Sequence, residues 1–152
     1  DFPEMIFLNA FEVRAPLEAV AEFHAQSANM AAITPPPVVV RVHRAEKTPA
    51  DGDEMDFTLW LGPLPVRWLL NIEATTGNGF VDRQIKGPFK KWVHRHSFER
   101  IDDTTTRVRD EIHITLERHP LWGTIGFLMM ANLPLLFAYR AWKTRRYLEK
   151  ER

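Results

Sequence analysis

At 152 residues the chain is long enough for one domain with a substantial core. Its 20 basic and 20 acidic side chains cancel, which removes the long-range field that draws proteins to nucleic acid or acidic membranes. The absence of cysteine excludes disulfides, thiolate catalysis and cysteine-ligated zinc or iron–sulfur centres.

The first residues, DFPEMIFLNAFEV, lack the basic segment, apolar run and small-residue cleavage site of a signal peptide, so a cytoplasmic location is expected. Met5 to Arg14 alternates as a strand, with Phe7, Asn9, Phe11 and Val13 on one side. Pro16 suits the first turn of a helix, and Leu17, Val20, Ala21 and His24 then form one stripe. A second short helix is expected over Ser27 to Ile33, capped by Ser27. The run Thr34-Pro-Pro-Pro37 ends it, because proline cannot continue a helix.

Strands are expected over Val38 to Glu46, Asp53 to Leu61 and Val66 to Thr76, punctuated by the turn clusters at 48–52 and 62–65. In the third, Trp68, Leu70, Ile72 and Ala74 share a face. Gly77-Asn78-Gly79 is a strong hairpin signal. Three further strand-like runs lie between Phe80 and Leu116, separated by Gly87-Pro88 and by Asp102-Asp103-Thr104. From Pro120 or Leu121 to about Glu149 the chain reads as one long helix, kinked near Pro134. Its apolar stretch, Ile125 to Ala138, is shorter than the roughly 20 residues a membrane span needs, so contact with a membrane is conceivable and crossing is not. Consecutive strands followed by a helix argue an α+β fold with an antiparallel sheet.

The last three strands carry the functional signal. Phe80, Asp82 and Gln84 share one parity; so do Trp92, His94, His96 and Phe98, and Val108, Asp110, Ile112 and Ile114. Period-two alternation puts the bulky apolar members of each run on the inner face, and the polar members with them. Buried ionisable groups are costly unless paired or hydrated, so a core face with five polar groups is expected to line something. Arg83, Arg95 and Arg109 have the opposite parity and form a solvated basic face.

The motif F-x-D-x-Q-x-x-G-P-F-x-x-W-x-H-x-H-x-F is carried by Phe80, Asp82, Gln84, Gly87-Pro88-Phe89, Trp92, His94, His96 and Phe98, followed by Thr106, Val108 and Asp110. With the element order it resembles the START-like (SRPBCC) superfamily, and within it the bacterial polyketide cyclase/dehydrase-like group. The resemblance implies a helix-grip fold over residues 1–152: a curved antiparallel sheet of about six or seven strands wrapped over a long C-terminal helix, with two short helices after strand 1. It further implies a ligand-binding domain whose cavity lies between sheet and helix.

The expected partner is a small hydrophobic molecule: a lipid, an isoprenoid quinone or an aromatic polyketide-like compound. The residues expected to bind it are Trp68, Phe80, Asp82, Gln84, Trp92, His94, His96, Phe98, Asp110 and Ile112. His94 and Asp110 are also the catalytic candidates, for proton transfer in a cyclisation or dehydration, although binding without turnover is the first expectation. His94-x-His96 with Asp82 and Asp110 has the spacing of a metal site, but the same groups can satisfy one another, and neither metal nor cofactor is expected. A protein- or membrane-docking role for the final helix is the remaining alternative, and an exposed apolar stripe over Leu121 to Tyr139 would mark it.

Overall fold

The computed structural model describes residues 1–75 and 78–149. Seven strands form one sheet: β1 (Met5–Val13), β2 (Val39–Arg44), β3 (Glu54–Leu61), β4 (Leu64–Ala74), β5 (Gly79–Lys86), β6 (Lys91–Asp102) and β7 (Thr105–Thr115). Their spatial order is β1-β7-β6-β5-β4-β3-β2, with every neighbouring pair antiparallel. Thr76, expected to end a strand, and Gly77 of the hairpin signal lie outside the described residues.

Register shifts at Val42/Arg44, Leu69/Leu70 and Arg100/Asp102 bend the sheet. Inner-face residues alternate along β7: Thr106, Val108, Asp110, Ile112 and Ile114 are buried. On β1, Phe7, Asn9, Phe11 and Val13 face inward, whereas Ile6 and Leu8 are exposed.

Four helices lie on the concave face. α1 (Leu17–Ala25) and α2 (Asn29–Ala32) follow β1. Ser27 does not cap α2; its hydroxyl donates to the Glu46 carbonyl at 2.7 Å and ties the helix pair to the chain beyond β2. The C-terminal helix bends close to Pro134, where the sequence predicts a kink, and the kink is a full break. Two helices result, α3 (Pro120–Ala131) and α4 (Leu133–Glu149), bent by 48°. Pro134 would clash with the carbonyl of Met130 in a continuous helix, so the break falls just upstream. There the Asn132 side-chain amide donates to the Leu128 carbonyl at 2.8 Å, and the Asn132 carbonyl starts α4 by accepting from Leu136 N at 3.0 Å.

Two cores pin the helices. Ile125, Leu133 and Phe137 pack with Phe89, Ile112 and Ile114, and Val20 of α1 packs with Val13, Phe98 and Val108. Between these cores, inner-face residues of β3 and β4 front a cavity. Among the described residues no single helix is long and apolar enough to cross a membrane; α3 and α4 taken together meet that test by length and composition only.

Candidate functional site

Strand pairing brings four ionisable side chains together on the inner face. Asp82 of β5 is opposite His94 of β6, and His96 of β6 is opposite Asp110 of β7. The hydrogen bonds run diagonally across this square. His94 Nε2 donates to Asp110 Oδ1 at 2.8 Å, and His96 Nε2 donates to Asp82 Oδ2 at 2.7 Å. The remaining ring nitrogens approach the other carboxylates, His94 Nδ1 at 3.8 Å from Asp82 and His96 Nδ1 at 3.5 Å from Asp110. Residues two apart on a strand project the same way, and the two imidazoles stack with centroids 3.7 Å apart.

Burial opposes ionisation of Asp110, but the His94 hydrogen bond and the attraction of His94, His96 and Arg140 outweigh it, holding this carboxyl at about 2. Burial likewise opposes the Asp82 charge, and His94 and His96 reverse the sign and hold it below the ordinary carboxylate value. His94 is pushed down by burial and by the neighbouring His96, against the pull of both carboxylates, so it is neutral at pH 7.

This lattice forms one end of a cavity of about 1090 Å³. Its sheet wall is apolar, with Met55, Phe57 and Leu59 from β3 and Trp68, Leu70 and Ile72 from β4. The helical wall brings Phe23, Met30 and Ile33 from α1, α2 and the turn after them, then Ile125, Met129, Leu133 and Leu136 from α3 and α4.

Of the residues expected to bind ligand, Trp68, Phe80, Asp82, Trp92, His94 and His96 line this cavity. Trp68 and Trp92 pack edge to face at 5.2 Å, and Phe80 stacks on His96 at 4.1 Å. The other four do not reach its wall. Gln84 turns to the chain itself: its amide donates to the Phe89 carbonyl at 2.7 Å and its carbonyl accepts from Phe89 N at 3.2 Å, clamping the β5–β6 turn. Phe98 belongs to the second core, its ring 4.9 Å from His24. Ile112 is fully buried beneath the lattice. Asp110 lies behind the histidines and borders a second void of about 10 Å³ with His24, Arg140 and Thr144, about the volume of one water.

Two further ionisable residues beside the lattice, His24 and Arg140, line the cavity and were not among the residues expected to bind ligand. His24 lies on α1 with its ring hydrogen-bonded through Nδ1 to the Val20 carbonyl at 2.9 Å, and burial pushes it down to about 4. Arg140 reads in sequence as the start of the basic tail 140–146. It instead joins the inward stripe of α4, in helical spacing with Leu133, Phe137 and Thr144. Its guanidinium rests 5.2 Å from the Phe137 ring.

No family model and no curated protein matches this sequence. Solved structures do match. The Zhui aromatase/cyclase from Streptomyces sp. R1128 superposes over 97% of this chain and 95% of its own, with TM-score 0.75 and 13% identity. A START superfamily protein from Mycobacterium smegmatis matches over 97% and 99%, with TM-score 0.65 and 10% identity. Norcoclaurine synthase from Thalictrum flavum, solved with dopamine and hydroxybenzaldehyde, matches over 99% and 90%, with TM-score 0.66 and 11% identity. The fold is the START-like helix grip. At such identities the likeness establishes that architecture and nothing finer.

In this helix grip the polar end also has the makings of a metal triad, since Asp82, His94 and His96 each offer a ligand atom within 4.8 Å of the others. As arranged, each imidazole already has a carboxylate acceptor, so the lattice is satisfied by its own hydrogen bonds.

Proposed function

We propose that this helix-grip protein binds a small, mostly apolar molecule between its sheet and its C-terminal helices, with its polar end oriented by Asp82, His94 and His96. The observation that carries the reading is the cavity of about 1090 Å³, apolar along its length and ending on a buried His–Asp lattice. Its volume lies slightly above the roughly 300–1,000 Å³ usual for small-ligand sites. Each 100 Å² of apolar ligand surface taken from water contributes about 2.5 kcal/mol before the costs of association. A lipid, an isoprenoid quinone and an aromatic polyketide-like compound all fit that description. Titration with the neutral dye N-phenyl-1-naphthylamine tests it: saturable binding at one dye per chain, weakened by Met129→Trp, supports the cavity, and an absence of binding sinks it.

A cyclase or dehydratase is the second reading. It is favoured by the neutral, cavity-lining His94, held through Nε2 by the buried Asp110 carboxylate, with Nδ1 3.8 Å from Asp82 and able to accept a proton. A linear poly-β-ketone thioester would cyclise faster with the protein than in buffer, and the gain would vanish in His94→Ala. No acceleration by the wild type discards this reading.

Docking through the C-terminal helices is the third. Leu128, Leu135 and Trp142 are exposed apolar residues that also border the cavity, so they would sit where a membrane or partner meets its mouth. Co-sedimentation with vesicles, lost in Leu135→Asp, checks it; wild-type protein that stays in the supernatant ends it.

A further inference from the structure

Arg140 brings the only guanidinium to the cavity wall among the described residues, beside the unpaired indole N–H of Trp68. Among the described residues no acceptor takes a hydrogen bond from its guanidinium and no carboxylate forms an ion pair with it. Asp110 and Asp82 act on it only through space, against a burial that disfavours its charge. A guanidinium presents five N–H donors in a fixed plane, and Arg140, half-buried at the cavity wall, offers them to whatever occupies the cavity. The Phe137 ring supports it from below, and that ring in turn meets His94 edge-on at 5.7 Å. The donor plane is therefore held beside the His–Asp lattice, bordering both the main cavity and the small void behind.

The charge balance narrows what this donor awaits. Asp82 and Asp110 already place two carboxylates at this polar end, hydrogen-bonded to His96 and His94, beside the single guanidinium of Arg140. A carboxylate or phosphate ligand would bring a third anionic group into a site walled by apolar groups, where such charge is poorly screened. An uncharged, polarised oxygen accepts from Arg140 without that cost.

Resting on the ligand-binding reading above, we propose that Arg140 is a specificity-determining residue that selects an apolar carbonyl compound, a quinone or polyketone, over acids and hydrocarbons of the same size. The carbonyl oxygen accepts from the guanidinium, and the ring or chain beyond it lies against Trp68 and Trp92.

NMR titration of 15N-labelled protein with three probes of one shape tests this: menadione, 2-methylnaphthalene and 1-naphthoate. The wild type binds menadione most tightly. Arg140→Met weakens menadione at least tenfold, Arg140→Lys weakens it less, and 2-methylnaphthalene stays within about twofold in every variant, which also shows the variants to be folded. A menadione affinity that Arg140→Met changes by less than about threefold overturns the assignment while leaving the cavity reading intact. Tighter, Arg140-dependent binding of 1-naphthoate overturns the carbonyl class. Should no probe bind the wild type, the ligand-binding reading falls, and this inference with it. If Arg140→Met does not fold, menadione affinity equal in Arg140→Lys and wild type overturns it.

Discussion

His94 and Asp110 are not opposite one another in the sheet, yet they share a buried 2.8 Å hydrogen bond. Simple cross-strand pairing would join His94 to Asp82 and His96 to Asp110. The crossed arrangement instead makes each histidine span both carboxylates, so the four groups behave as one unit. A unit of this kind is costly to break at any corner, because the remaining members lose partners at a largely buried site.

Removing a corner should therefore destabilise strongly. His94→Ala leaves two buried carboxylates short of a partner and is expected to cost about 3–5 kcal/mol. Asp110→Asn retains the shape and an acceptor and should cost about 1–3 kcal/mol. Urea unfolding measures both, and losses under about 1 kcal/mol for the pair would show that the lattice is not cooperative.

Acid should unfold the protein in two stages. His24 sits at about 4 in the fold against an ordinary 6.5, so the unfolded chain binds more protons between those values and stability falls as pH drops through that window. His94, also lowered, acts in the same sense. Asp110, at about 2 against 3.8, stabilises above its unfolded value and loses that contribution, about 2–3 kcal/mol, as pH falls toward 2. The surface residue His113 is raised by Glu111 and Glu4 and acts oppositely, with stability lost as pH rises. His24→Leu should flatten the curve from pH 6.5 to 4 and spare the lower limb. An unchanged upper limb in that variant would contradict the assignment.

Gln84→Ala removes both hydrogen bonds that hold the Phe89 backbone, and should cost about 1–3 kcal/mol without changing dye affinity. Gly87→Ala should cost stability for the same reason, since a Cβ there would strike the Gln84 amide. A variant at 84 that folds normally but binds dye poorly would return Gln84 to the ligand site.

These cases show which parts of the site were legible in sequence. Parity along β5, β6 and β7 put Asp82, His94, His96 and Asp110 on one face, and the register confirms it. Parity says nothing about depth. Ile112 and Asp110 share the face with His94 yet do not line the main cavity, and Gln84 shares it with Asp82 yet is taken by the turn that Gly87 permits. Arg140 was obscured by composition, because four basic residues in seven read as a surface tail; its spacing from Leu133, Phe137 and Thr144 holds the correct answer. The break does fall near Pro134, where the proline rule puts the clash, and the Asn132 amide decides the residue at which the chain turns.

Chelation should leave the protein unaltered. The lattice closes through its own hydrogen bonds, so dialysis against EDTA is expected to leave the thermal midpoint unchanged. A lower midpoint restored by zinc would instead make Asp82, His94 and His96 metal ligands.

The most direct test of the central claim is native mass spectrometry of freshly purified protein, followed by denaturing extraction and mass analysis of whatever is released. One apolar molecule per chain is expected, of definite mass and lost in Met129→Trp. Protein that emerges empty, and stays empty after incubation with a lipid and quinone extract, would contradict it.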